Sequence, residues 1–340
     1  MRRPFLVGAT LALALSAVSV GTAAAQQPDK AGFGFAVIGD IPYGAEQIAQ
    51  FPSVVDQINA DPAVQIVNHL GDIKDGSSVC SDDYFAAVRA QFDRFADPFV
   101  YTPGDNEWTD CHRPNNGGFD PLERLDAVRK TFFPKPGKTL GEQSVAVHSQ
   151  ADRGVPENVS YDRAGVSFAV LHVVGSNNDL APWTGQTAPT PEQTAEVQER
   201  TAATLDLINE TFDHGRGQRA VALLMQADMF DPTVPNPSSA AYSGFQEIIR
   251  TIAERSADFD GPVYLFNGDS HVYNSDTPLA PGSPWLSFYG VTTPAPNLTR
   301  VTVDGSNGVN NYLRVTVRPG DPQVLTWTKV PFDTTPTQHG

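Results

Sequence analysis

FAVIGD (Phe35–Asp40), QIVNHLGD (Gln65–Asp72), FVYTPGD (Phe99–Asp105) and VYLFNGD (Val263–Asp269) are apolar runs of strand length, and each closes on Gly-Asp. Longer amphipathic stretches separate them, which is the alternation of βα units feeding a largely parallel sheet. In such a sheet the carboxyl ends of the strands share one edge, and ligands bind in the crevice outside it. The recurrence therefore delivers Asp40, Asp72, Asp105 and Asp269 to one place. Glycine ahead of each aspartate permits a sharp exit from the strand and close backbone approach. Carboxylates gathered in this way repel one another and raise each other's pKa unless a cation neutralises them. A multivalent metal centre is the economical reading.

Working outward, His271 follows Asp269 by two residues, a spacing that aims both side chains to the same side of a strand exit. Gln226 closes the run VALLMQ and offers an amide oxygen, with Asp228 as the other donor on that loop. Further strands are predicted over Val166–Val174 and Ala220–Met225, and helices over Ala45–Asn59, Asp82–Phe95, Pro121–Thr131, Pro191–Phe212 and Tyr242–Glu254. Past Trp285 the runs shorten. Trp285–Tyr289, Leu298–Val303, Leu313–Val317 and Val324–Val330, parted by Gly, Asn, Asp and Pro, predict antiparallel strands. Asn177–Pro191 and Asp231–Ser239 predict long surface loops. No composition break marks a linker, so residues 26–340 are expected to form one domain with its core at about 33–330.

Across the 340 residues, 39 acidic side chains face 23 basic ones, a formal charge of -16. Such a field repels polyphosphate, which argues against a nucleic-acid coating role and against binding to anionic membranes. Residues 1–25 read as a secretory signal: Arg2 and Arg3, an apolar run from Phe5 to Val20, then Ala23-Ala24-Ala25. Arg2-Arg3 also fits the twin-arginine pattern, beside the ordinary Sec reading. The apolar run falls short of the roughly 18 to 20 residues that span a bilayer, so a secreted or periplasmic protein without a membrane anchor is expected. Removing the leader takes away two arginines and deepens the acidic excess. In an oxidising compartment Cys80 and Cys111 most simply form one disulfide, the alternative being two buried thiols. Closing a loop of about 30 residues contributes roughly 3 to 4 kcal/mol in the chain-entropy model.

At these residues the sequence resembles the calcineurin-like metallophosphoesterases, whose motifs run GDxH, GDxxD or GDxxY, GNH[DE], a later single His, and GHxH. The matching segments are GDIPY (Gly39–Tyr43), GDIKDG (Gly71–Gly76), GDNE (Gly104–Glu107), Gln226 in LLMQAD, and GDSH (Gly268–His271). The resemblance implies an α/β fold, a sandwich of two mostly mixed β-sheets flanked by helices. It implies two metal ions, one held by Asp40, Asp72 and His271, the second by Asp72 as bridge with Asp105, Gln226 and Asp269.

Several motif positions differ. Pro42 stands where the first motif has a ligating His, Asp105 at the metal-ligand Asn, Asn106 at the catalytic His, Gln226 at the single His, and Asp269 at the first His of GHxH. Exchanging imidazoles for oxygens favours harder ions, so Mn or Fe is expected over Zn, with Mg and Ca as further candidates. The family mechanism implies attack on phosphorus by a metal-bridging hydroxide and a small phosphorylated substrate, a monoester or a diester. Asn106 can donate a hydrogen bond to developing charge but cannot serve as a general acid. His112 is the candidate proton donor and Arg113 the candidate phosphate clamp. Cys80 and Cys111 would staple the loops that leave the metal edge. The alternative is a protein that binds metal or phosphate ligands on the same scaffold, without turnover.

Overall fold

The computed structural model describes Met1 and residues 32–306, 310–318 and 320–333; the leader reading, apart from Met1, falls outside them. Three of the Gly-Asp runs become neighbouring parallel strands, β1 (Gly34–Ile38), β2 (Val67–His69) and β3 (Phe99–Tyr101). Two antiparallel strands, β11 (Asn311–Val317) and β12 (Leu325–Pro331), extend this sheet to the order β12-β11-β1-β2-β3.

The second sheet runs β4-β5-β6-β7-β8-β10-β9. Its parallel centre is β6 (Val166–Val170), β7 (Ala220–Leu224), β8 (Val263–Asn267) and β10 (Leu298–Thr302). A hairpin of β4 (His148–Gln150) and β5 (Val155–Arg163) flanks it on one side and β9 (Asn274–Asp276) on the other, all antiparallel to their neighbours. The result is the α/β sandwich of two mixed sheets that the resemblance implied.

Alternation along the strands explains why these runs are apolar throughout. Side chains of a strand point to opposite faces in turn, and here both faces are covered. Phe35 and Val37 of β1 meet Phe168, Leu224 and Phe266 of the other sheet in the inner core, while Ala36 and Ile38 face a helical layer. That layer is α1 (Gly44–Asn59), α2 (Asp82–Phe92) and α3 (Pro121–Phe132), which bury Phe51, Val55, Phe85, Phe92 and Phe132. On the far side α5 (Pro191–Gly215) and α6 (Gln246–Ala257) cover Val221, Leu223 and Leu265. Helix starts follow local chemistry: Ser81 and Asp120 accept from backbone N–H groups at their N-caps, and Thr190 with Gln193 forms a capping box ahead of α5.

Two expectations are corrected. Trp285–Tyr289 is not a strand but lies within the short helix α7 (Pro284–Tyr289). Ser283 caps it, Pro284 opens it and Gly290 closes it with φ of 65°, punctuation that outweighs the β preference of its aromatic residues. Leu298–Val303 does contain a strand, but β10 pairs parallel to β8 and only its other edge is antiparallel. The β4–β5 hairpin carried no sequence signal, because VPENVSYDR mixes polar and apolar residues along an outer strand. Among the described residues no helix is long and apolar enough to cross a membrane.

Candidate metal centre

The strand exits are bent sharply. Asp40, Asp72, Asp269 and His271 all adopt positive φ, at 53°, 56°, 71° and 62°. Non-glycine residues reach this left-handed region at a cost, aspartate less than most, and such strain collects at functional sites. The glycines beside them let the loops nest: a Cβ on Gly268 would stand 2.2 Å from Asp40 Oδ2, and one on Gly71 would stand 2.5 Å from Gly104 N. Larger residues there would push the motif loops apart.

Asp40, Asp72 and His271 offer ligand atoms that all lie within 4.8 Å of one another. Asp40 is fully buried; its Oδ1 accepts from Asp269 N at 3.0 Å and lies 3.5 Å from His271 Nε2, while its Oδ2 has no partner. A buried carboxylate oxygen left without a donor is costly unless something positive meets it. Burial pushes Asp40 upward despite the opposing pull of His271. Asp72 is raised well above the usual carboxylate range, by burial first and then by Asp105, Glu107 and Asp40. Part burial disfavours the charged ring of His271, and Asp40 beside it outweighs that and raises its proton affinity. Two carboxylates and an imidazole converging in this way fit a divalent or trivalent cation.

Tyr43 completes this group, a role that sequence reasoning missed although the residue lies within GDIPY. Its hydroxyl donates to Asp72 Oδ2 at 2.9 Å, lies 3.4 Å from His271 Nε2, and accepts from Asn106 Nδ2 at 2.8 Å. Tyr43→Phe removes one donor from Asp72 and leaves the aspartate free to turn. We expect Mn2+ affinity to fall by roughly 10-fold, the lower end for losing a group that orients a ligand, with the fold unchanged by circular dichroism; calorimetric titration reads it.

Asp105 and Asp269 meet beside Gly175. Ser176 Oγ lies 2.9 Å from both Asp105 Oδ2 and Asp110 Oδ1, which share its one proton, and a Cβ on Gly175 would stand 2.7 Å from Asp105 Oδ2 and 3.0 Å from Asp269 Oδ1. Gly175 and Ser176 open α4 (Gly175–Asn178), a single turn in which Ser176 and Asn177 are left-handed. This exit, VVGS, is the Gly-Asp signal with serine in place of aspartate, and that likeness could have found it. Gln226 turns its amide nitrogen, not its oxygen, toward the carboxylates. Its Oε1 accepts from Gly175 N at 2.6 Å, and its Nε2 faces Asp72 Oδ2 at 3.2 Å and Asp105 Oδ1 at 3.1 Å. A backbone N–H can only donate, so the oxygen must face Gly175 and the amide hydrogens must face the carboxylates. Asp228 is engaged elsewhere, by Arg300 at 2.7 Å and Ser270 at 2.7 Å.

Asn106 stands inside the site, where its Nδ2 donates to Tyr43 and, at 2.8 Å, to Asp72 Oδ2. Both amide hydrogens are thereby engaged in positioning. Arg113 lies at the rim, paired with Asp110 at 2.6 Å, and its Nη1 and Asn106 Oδ1 both border Gly76. His112 is not brought into the cluster. Its Nδ1 accepts from Thr184 N at 2.9 Å, tying the third motif to the long loop before α5, and burial followed by the charge of Arg113 lowers its pKa. Glu107 is a clamp: its Oε1 accepts from Asp72 N, Gly104 N and Tyr101 Oη at 3.1, 2.7 and 2.7 Å. Cys80 and Cys111 form the expected disulfide, with both sulfurs beside the carbonyl of Asn106. His69 is fully buried, held by Ile41 O and Gly71 N, and burial lowers its pKa to about 4.

Compared with known proteins, the family model described as calcineurin-like phosphoesterase matches residues 33–273. Among solved structures the chain is similar to GAP50, the anchor in the inner membrane complex of Plasmodium, at 10% identity over 91% of each chain with a TM-score of 0.45. It is also similar to the phosphopantetheinyl hydrolase of Mycobacterium tuberculosis, at 12% identity over 81% of this chain and 90% of that one, with a TM-score of 0.44. No curated protein matches.

Proposed function

This chain belongs to the calcineurin-like phosphoesterases, whose general activity is metal-dependent hydrolysis of phosphoesters, and on that premise we propose that it hydrolyses small phosphomonoesters or phosphodiesters outside the cytoplasm. The observation that carries the reading is the meeting of buried Asp40 and Asp72 with part-buried His271, with Asp40 Oδ2 left without a donor. A cation held there would supply Lewis-acid polarisation of a phosphoryl oxygen and a water of lowered pKa.

The chain's own residues shape the rest. Asn106 and Tyr43 fix the orientation of Asp72. Arg113, at the rim beside Asn106, is placed to turn from Asp110 onto an incoming phosphate in bidentate fashion. The donor set favours Mn or Fe over Zn, and Mg and Ca share its preference for oxygen. An acidic excess of 16 disfavours long polyanions while the cationic centre and Arg113 still attract a small ester. Export is supported by the leader sequence and by a disulfide of the kind that persists in oxidising compartments.

The test is turnover. Full-length protein supplied in turn with Mn2+, Fe2+, Mg2+, Ca2+ and Zn2+ is assayed on nitrophenyl phosphate and bis-nitrophenyl phosphate. Hydrolysis of at least one ester is expected, lost on chelation and restored by the ion. Tight binding of metal and phosphate without any hydrolysis would establish the other reading, a ligand-binding protein on this scaffold, which Asn106 at the catalytic-His position motivates.

A further inference from the structure

Gln226 leaves the carboxyl end of β7 between Asp72 and Asp105, where the family's second ion would stand. Its orientation is set by its neighbours. Gly175 N donates to Oε1 at 2.6 Å, and the two hydrogens on Nε2 meet Asp72 Oδ2 at 3.2 Å and Asp105 Oδ1 at 3.1 Å. Turning the amide over would oppose two donors at Gly175 and remove both bonds to carboxylates. Gln226 is fully buried, so water cannot replace them.

Two neighbouring carboxylate oxygens also face donors. Asp105 Oδ2 shares the Ser176 hydroxyl with Asp110 Oδ1, each at 2.9 Å, and Asp269 Oδ2 takes Asp228 N at 3.1 Å. Among the described residues, the carboxylate and imidazole atoms that lie close enough together to hold an ion are those of Asp40, Asp72 and His271, and neither Asp105 nor Asp269 joins them. A second ion needs lone pairs directed at it, and between Asp72 and Asp105 the Gln226 amide presents N–H donors instead. The partial positive charge of the amide does part of the neutralising that a metal would do.

We infer that this chain has a single-ion centre, held by Asp40, Asp72 and His271, with the amide of Gln226 standing in for the family's second metal. The inference rests on the metal-dependent reading above and narrows it to one ion per chain.

Metal content decides it, read on full-length protein with Mn2+ as the probe. After removal of loosely bound ion, wild type is expected to keep about one Mn2+ per chain by elemental analysis, with the electron paramagnetic resonance signal of an isolated ion. Gln226→Glu has the same shape and keeps an oxygen for Gly175. It turns a second oxygen toward Asp72 and Asp105, so about two Mn2+ per chain and the signal of a coupled pair are expected. Gln226→His, purified in Mn2+, offers a ring nitrogen at the same place and should also gain an ion if the glutamate variant does not fold. Two tightly held ions in wild type would overturn the inference while leaving metal-dependent hydrolysis intact. One ion in wild type and in every folded variant would overturn the role given to Gln226. No ion in any protein would overturn both this inference and the proposed function.

Discussion

Asp72→Asn is expected to lower turnover by on the order of 10³-fold or more and to abolish tight Mn2+ binding, without unfolding the protein. Asp72 Oδ2 receives Tyr43 Oη, Asn106 Nδ2 and Gln226 Nε2, at 2.9, 2.8 and 3.2 Å, while Oδ1 receives Asn106 N at 3.1 Å. An asparagine can place its oxygen at the first position and keep those donors satisfied, but its amide hydrogens then oppose Asn106 N, so one hydrogen bond is lost. Against that loss, the substitution removes a carboxyl whose ionisation is disfavoured by burial first and then by Asp105, Glu107 and Asp40. The two changes pull in opposite directions, and metal-free variant and metal-free wild type should melt within a few degrees of each other. The ion separates them. Saturating Mn2+ raises the melting temperature of wild type, because binding to the folded state alone adds stability by mass action, and it leaves the variant where it was. Unchanged turnover in a variant that no longer binds Mn2+ would remove the metal from the mechanism. Equal Mn2+ protection of both proteins would remove Asp72 from the ligand set.

How much of this was legible follows from which physical rule each feature obeys. The Gly-Asp exits obey a local rule, apolar alternation closed by a glycine, and that rule placed Asp40, Asp72, Asp105 and Asp269 at one edge before any coordinates. The disulfide was legible because two cysteines allow one pairing. What the sequence does not carry is decided by partners remote in it. The direction of the Gln226 amide is set by Gly175, fifty-one positions away, and nothing near Gln226 announces that N–H. Tyr43 owes its role to Asp72 and Asn106, which approach through two other strands. His112 stands beside Arg113, and its Nδ1 is met by Thr184 N from another loop. In α7, Ser283, Pro284 and Gly290 are helix punctuation that outweighs the β preference of the aromatic run they enclose.

Breaking the staple should cost more stability than any other change considered for this chain, while leaving the proposed ion largely in place. Cys80 and Cys111 are 31 positions apart and wholly buried, and in the chain-entropy model opening such a loop costs about 3 to 4 kcal/mol. For a chain of this size, at roughly 2 to 4 °C per kcal/mol, the double variant Cys80→Ala/Cys111→Ala should melt on the order of 10 °C lower. The location predicts which functional property suffers. Both sulfurs lie against the carbonyl of Asn106, which also accepts from Lys74 Nζ at 2.8 Å, so the bridge holds the loop after Asp72 to the loop after Asp105. Asp72 keeps a separate anchor, because Glu107 Oε1 binds its backbone N–H and is itself held by Gly104 N and by Tyr101 Oη on β3. Asp40 and His271 arrive on other loops altogether. Mn2+ affinity should therefore change by less than about 10-fold, whereas Asn106 and Arg113, carried on the loosened segment, should hold a phosphate less well. The expected kinetic signature is a raised KM for nitrophenyl phosphate with kcat nearly kept. A large fall in kcat at constant KM would mean that the bridge orders the ligands themselves, and an unchanged melting temperature would mean that the buried packing around Phe85 and Phe119 holds these loops without it.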